Sequence, residues 1–275
     1  MEKLFVIFVN YNSGNQLYEG MNSVLKSKSV SGVIVVDNAS KDDSLKRVEQ
    51  IKSKKTIIVI KNKKNLGFYK ALNIAVQKAF QLNADKVMPL DFDLDFSFDF
   101  ITKLVQVDAD MVAPVLKFRQ NGKWWYDYGG RFNLIKGSSY HIIKRTPQKK
   151  VGAIVSSSDK SNSYWFDFIS GGCTIIKKDV FRKNGLFDED YFVYWGDADF
   201  ALHARENGFK VVMDGNTIVY HKIEINTQTK NFRKLKISFL DNITFIKKRV
   251  KWFFKPVAYL NLLLFASKIL WKTVI

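Results

Sequence analysis

Four short apolar runs constrain this chain more than any other feature. Residues 3–9, 33–36, 56–60 and 86–90 are dominated by Val, Ile, Phe and Leu and are bounded by polar or turn-forming residues. A strand that is apolar at nearly every position is buried on both faces, which a parallel sheet covered by helices provides. Between the first two runs, Leu17, Met21, Val24 and Leu25 recur on one helical face within residues 15–28. Ser40, ahead of Asp42 and Asp43, is expected to cap a second helix. Ala71, Leu72, Ala75, Val76, Ala79 and Phe80 mark a third. The alternation predicts an α/β fold with a mostly parallel sheet and helices on both faces. Ligands of such sheets gather at the carboxyl ends of the strands. Three polar loops stand there: Asn10-Tyr11-Asn12, Asp37-Asn38 and Asp91-Phe92-Asp93.

If the fourth strand continues, Asp91, Asp93 and Asp95 share one face and Phe92, Leu94 and Phe96 the other. Three like charges so close raise one another's pKa unless a cation sits among them. A hard divalent ion, which takes oxygen ligands and keeps positions for substrate phosphates, is the natural neutraliser. A solvated acidic turn is the alternative, disfavoured by the large apolar residues in between. A second acidic and aromatic stretch runs from 187 to 200, where Trp195-Gly196-Asp197-Ala198-Asp199 opens a helix. Asp199 fits a helix cap, whereas Asp197, beside a broad ring and a flexible glycine, is a candidate pocket wall. Gly171-Gly172 before a strand points to close backbone approach. His221 follows a strand and on local evidence is a surface residue more readily than a ligand; His141 and His203 carry no motif.

A formal net charge of +18 calls for polyanionic partners. No nucleic-acid motif accompanies it, which leaves phosphorylated substrates or anionic lipid as the expected partners and not nucleic acid. The basic residues Lys230, Arg233, Lys234, Lys236, Lys247, Lys248, Arg249, Lys251 and Lys255 face only Asp241, and residues 257–271 are largely apolar but short for a membrane span. The expected reading is a globular domain over 1–225 and a basic amphipathic helical extension over 226–275 that lies in a membrane interface, anchored by Trp252, Phe253, Phe254 and Trp271. A helix packed on the domain or on a partner is the alternative. The single Cys173 permits no internal disulfide and residues 4–9 are short for a signal peptide, so a cytoplasmic protein, peripheral on the inner face of the cell membrane, is expected.

Eight fragments, in order, carry a resemblance: Val9-Asn10-Tyr11-Asn12, Val36-Asp37-Asn38-Ala39-Ser40, Asn65-Leu66-Gly67-Phe68, Leu90-Asp91-Phe92-Asp93, Ser170-Gly171-Gly172, Gly185-Leu186-Phe187-Asp188-Glu189, Trp195-Gly196-Asp197-Ala198-Asp199 and Val219-Tyr220-His221. Over residues 3–222 the chain resembles family-2 glycosyltransferases of the GT-A fold, in particular the bacterial rhamnosyl- and galactofuranosyl-transferase-like branch. The resemblance implies inverting sugar transfer from a nucleotide-sugar donor to a hydroxyl of a glycan or polyprenyl-linked acceptor. It implies that Asn10, Tyr11, Asn12, Asp37, Asn65, Gly67, Lys70 and Asp91 bind the donor, with Asp37 accepting from a base N–H. Asp91 and Asp93 match the family's DxD pair, which with His221 would hold Mg²⁺ or Mn²⁺. Asp197 matches the general base, with Trp195, Gly196, Asp199, Gly171 and Gly172 toward the acceptor. Residues 117–165, rich in Gly, Ser, Lys and aromatics, would give strands, loops and the acceptor-facing wall. Gly196 stands where many relatives carry Glu, and Lys70 where the family is often small. A nucleotidyltransferase would need a basic glycine-rich loop after the first strand, and residues 10–14 contain no Lys or Arg. A non-catalytic polyanion binder is the alternative from another class.

Overall fold

A computed structural model describes residues 2–97, 99–146, 153–155, 166–222 and 232–274. The expected alternation is there: β1 (Leu4–Asn10), α1 (Gln16–Lys26), β2 (Gly32–Asp37), α2 (Ser44–Glu49), β3 (Thr56–Lys61), α3 (Phe68–Gln81) and β4 (Lys86–Pro89). It continues through β5 (Leu94–Asp95), α4 (Phe100–Val105), β6 (Met111–Gln120), β7 (Lys123–Asn133), β8 (Ser138–Lys144), β9 (Ala153–Val155), β10 (Ile175–Lys177) and α5 (Lys178–Asn184). The described chain closes with α6 (Gly196–Glu206), β11 (Val211–His221), α7 (Phe232–Arg249) and α8 (Lys255–Val274).

The sheet runs β3-β2-β1-β4-β10-β6-β11-β5. β1 to β4 are parallel neighbours, β6 is parallel to β11, and β10 lies antiparallel between β4 and β6. Strand periodicity splits β1 between two cores: Phe5 and Ile7 pack with α3 on one face, while Leu4, Val6 and Phe8 pack with α1 and α4 on the other. Among the described residues the sheet is mixed, with four parallel pairings (β1–β2, β1–β4, β2–β3 and β6–β11) against six antiparallel ones, so the mostly parallel sheet expected from the apolar runs holds for β1 to β4 alone; these bring the ends of β1, β2 and β4 to one rim.

Three expectations change. The fourth strand stops at Pro89, and the chain turns at 91–93 before Leu94–Asp95 pairs antiparallel with Tyr220 and His221. The two-residue period therefore breaks at the turn, and Asp95 is exposed at the sheet edge, apart from the other two acids. Ser40 is not the cap of α2, which starts four residues later; its Oγ accepts from the Asn12 N–H (3.0 Å) and lies 3.1 Å from Asn10 Nδ2. Residues 209–213 and 217–220, two apolar runs that read as separate short strands, fall on one strand, β11, irregular between Asp214 and Ile218.

Within residues 117–165, a β6-β7-β8 meander forms, and 147–152 and 156–165 lie outside the described residues. So does the 225/226 boundary. The helices beyond it are nevertheless tied to the sheet domain. Phe245 of α7 is fully buried in the larger core and stacks near Phe132 (4.8 Å) and Trp195 (4.6 Å). α8 packs Ala258 and Leu262 onto Ile246 and Val250 and leaves Leu260, Leu263, Leu264 and Phe265 more than half exposed. Among the described residues no helix is long and apolar enough to cross a membrane.

Candidate active site

Two adjacent glycines hold the site's two central acids. The Asp91 N–H donates to Gly172 O (2.8 Å), and a Cβ on Gly172 would lie 2.1 Å from Asp91 Oδ2. The Gly171 N–H donates to Asp197 Oδ2 (2.7 Å), and a Cβ there would lie 2.3 Å from Asp197 Cβ. Real Cβ atoms do not approach so closely, so the expected close approach is to the two carboxylates themselves, one on each glycine.

Burial, then the charges of Asp93 and Asp197, push the Asp91 carboxyl up to about 8. Asp91 thus feels both other acids across the rim. His221 Nε2 lies 3.4 Å from Asp93 Oδ2, because the β5–β11 pairing brings the end of β11 beside the 91–93 turn. Among the described residues no three His, Cys, Asp or Glu side chains form a ready metal cage. Asp93 and His221 make an oxygen–nitrogen pair, with Asp91 next to it.

Asp197 is the second residue of α6, whose start is unusual: Trp195 adopts φ 72°, a left-handed conformation costly for a bulky residue. Tyr69, buried on α3, secures the turn. Its hydroxyl donates to Asp197 Oδ1 (3.0 Å) and accepts from the Asp197 N–H (3.0 Å). Burial and the Asp197 charge push the phenol well above its ordinary pKa, so it stays a donor. A Cβ on Gly196 would lie 2.6 Å from the Tyr69 ring, which explains a glycine where many relatives carry Glu. The sequence reading missed Tyr69; its only signal is a hydroxyl on the buried face of a helix, which has to find a partner.

The second surprise is α7. Buried Asp241 accepts the N–H groups of Phe192, Val193 and Tyr194 at 2.9, 3.0 and 2.8 Å, fixing the loop that leads into Trp195. Arg249 forms an ion pair with Asp199. This corrects both expectations for Asp199. It makes no cap bond and does not line the cavity; it is 6% exposed and its charge is spent on Arg249. Burial raises its carboxyl pKa against the opposing pull of that guanidinium.

On the donor side, Asn10 and Asp37 are buried and serve as the floor. Asn10 Nδ2 bonds Asp37 Oδ1 (2.8 Å) and Ser44 Oγ (2.8 Å), and Asp37 Oδ2 accepts the Ser40 N–H (3.1 Å). Tyr11 and Asn12 are exposed above them. Asn65 Oδ1 accepts the Gly67 N–H (2.9 Å); Gly67 has φ 89°, and its carbonyl takes Asn38 Nδ2 (2.9 Å). Lys70, expected near phosphates, is instead paired with Glu189 (3.4 Å), both side chains about half exposed. A cavity of about 1040 Å³ opens from Asp91, Gly171, Trp195 and Asp197 past His141 to Phe239, Leu262 and Phe265 of α7 and α8.

A family model described as glycosyl transferase family 2 matches residues 5–185. The chain belongs to glycosyl transferase family 2. Among curated relatives of this glycosyltransferase, a dTDP-rhamnosyl transferase of Shigella flexneri is 22% identical over 224 residues, covering 80% of this chain and 69% of the relative. A hexosyltransferase of low-salt glycan biosynthesis from Haloferax volcanii is 22% identical over 217 residues, covering 77% of this chain and 64% of the relative. The structure of GalNAc-T7 with UDP, GalNAc and Mn²⁺ superposes with a TM-score of 0.64 at 18% identity; it covers 90% of this chain, which spans 48% of that one. A mannosyltransferase of Pyrobaculum calidifontis bound to GDP-mannose and Mn²⁺ gives 0.57 at 16% identity, over 93% of this chain and 68% of that one. The fold is therefore GT-A, and the nucleotidyltransferase and polyanion-binder alternatives fall.

Proposed function

We propose that this glycosyltransferase moves a sugar from a nucleotide-diphosphate donor to a hydroxyl of a lipid-linked glycan, inverting the anomeric centre, with Asp197 as the base. The observation that carries the reading is the pair of acids set on adjacent glycines, both lining the cavity and one of them beside the Asp93–His221 pair. Asp93 suits Mg²⁺ or Mn²⁺, which take oxygen donors and complete their shells with substrate phosphates and water, and the His221 imidazole beside it can add one nitrogen donor. Bound there, the ion would act as a Lewis acid for the departing diphosphate. Asp197, fixed by Gly171 and Tyr69, takes the proton of the acceptor hydroxyl as that oxygen attacks from the face opposite the leaving group. The base and diphosphate lie over the loops at 10–12, 37–38 and 65–67.

A thermal-shift screen of dTDP-rhamnose, UDP-GlcNAc and GDP-mannose, with and without Mn²⁺, tests the donor. One of them, at about 100 times its Kd, should stabilise the protein by about 2.7 kcal/mol. Asp93→Ala should abolish the Mn²⁺-dependent part of that shift. An equal shift in the variant would remove Asp93 from the metal site.

The exposed apolar side of α8, with Lys247, Lys251 and Lys255 nearby, fits an anionic membrane surface at the inner face of the cell membrane, each basic residue contributing about 1 kcal/mol before screening. Co-sedimentation with phosphatidylglycerol vesicles should fall when Leu263 and Leu264 are both changed to Glu, and fall again in high salt. Unchanged binding in the double variant would show that α8 is not the anchor.

A further inference from the structure

His141 carries no motif, yet the fold builds a mount for it. Its Nδ1 lies 2.8 Å from Asp127 Oδ2, and because a carboxylate only accepts, Nδ1 carries the proton. Asp127 is buried and its other oxygen accepts the Gly129 N–H (2.9 Å). The β7–β8 register shifts between Asp127 and Gly130, a bulge of the kind that re-aims side chains beside active sites. Gly129 has φ 87°, and a Cβ on Gly130 would lie 2.1 Å from the Phe168 ring. Those two glycines let Phe168 sit under the imidazole, edge to face at 5.5 Å. Bulge, carboxylate and aromatic seat together fix one orientation of one ring.

That ring faces the reaction site. The His141 side chain is 49% exposed and lines the cavity that holds Asp91 and Asp197, and among the described residues its Nε2 has no partner. Burial pulls its pKa down, but Asp127 and the charge of Asp197 more than offset this, so the imidazole is electrically in touch with the base.

We propose that His141, held by Asp127, is the acceptor-binding group of the transfer site, its Nε2 hydrogen-bonding the hydroxyl vicinal to the one that Asp197 deprotonates. The acceptor is an amphiphile, its sugar at the polar inner end among His141, Ser138 and Ser139 and its tail along Phe239, Leu262 and Phe265. The assignment rests on the reading of Asp197 as the base.

Farnesyl diphosphoryl N-acetylglucosamine in micelles serves as acceptor probe, with the donor found by thermal shift. His141→Ala should raise the acceptor KM about 2- to 12-fold, the loss of one hydrogen bond from the acceptor hydroxyl to Nε2, and leave donor Kd unchanged. His141→Gln, which keeps a polar hydrogen-bonding group, should recover part of it. Asp127→Asn should raise acceptor KM by loosening the ring, although Asp127 never touches the acceptor. A merely structural role would lower the melting temperature of these variants and leave the KM alone. Donor binding with an unchanged acceptor KM in His141→Ala overturns the assignment by itself. Donor binding by the wild type without transfer to this probe overturns the amphiphilic acceptor. Absence of any donor binding overturns the glycosyl-transfer reading and the assignment with it.

Discussion

Asp197→Asn should lower turnover about 10²- to 10⁴-fold, the range that a positioned general base supplies, while donor affinity is retained. The substitution keeps shape but not chemistry. Asp197 accepts two hydrogen bonds outside its own turn, from Gly171 and from Tyr69, one at each oxygen. In the variant the amide oxygen can keep the Gly171 bond, but the amide nitrogen then faces the Tyr69 hydroxyl, which must rotate to accept. That mismatch costs stability of about 1–3 kcal/mol, so the melting temperature is measured beside the rate. A folded variant with near-normal turnover would move the base elsewhere. Asp199, two residues on, and Asp95, the third acid of the 91–95 cluster, are not available: one is buried against Arg249 and the other is exposed at the sheet edge. Asp91 would be the remaining carboxyl that lines the cavity among the described residues, and its raised pKa would make transfer climb as pH passes about 8.

The legible part of the sequence was its short-range periodicity. Apolar runs mark β1 to β4, although β3, at the edge of the sheet, is only partly buried and β1 and β4 also bury Asn10 and Lys86, and Gly171-Gly172 announces a close approach because little else demands two adjacent residues without Cβ. Asp91 and Asp93 stand out at a strand end and Asp197 at a helix start, while the roles given to them rest on the resemblance. The failures share a cause as well. Asp95 was grouped with its neighbours by a period that ends where the chain turns. Asp199 looked like a cap because its partner, Arg249, is fifty residues away in a stretch that reads as a basic tail. Tyr69, Asp127 and His141 work through contacts between separate elements, and neither spacing nor composition records which elements meet.

That basic stretch leads to the second large effect. Charge alone suggests that removing everything from Lys230 onward should leave a folded catalytic domain. The contacts of α7 predict otherwise. Truncation leaves Asp199 as a buried carboxylate without its guanidinium, a change of the kind that costs about 3–5 kcal/mol. It also removes Asp241 from three backbone N–H groups, where hydrogen bonds to a charged acceptor contribute about 1.5–3 kcal/mol each. Phe245 leaves a cavity between Phe132 and Trp195 as well. These losses approach the whole stability of an ordinary domain, about 5–15 kcal/mol, so the shortened protein should unfold or lose the 192–197 loop altogether. Urea unfolding of the truncated chain, with Asp241→Asn and Arg249→Ala in the full-length protein beside it, measures the effect. Hydrogen exchange at Phe192, Val193 and Tyr194 should accelerate in Asp241→Asn, because these amides lose their charged acceptor. If the truncated protein keeps the wild-type urea midpoint and slow exchange in this loop, α7 is an appendage after all; if both are lost, the helix that charge assigns to the membrane also holds the base in place.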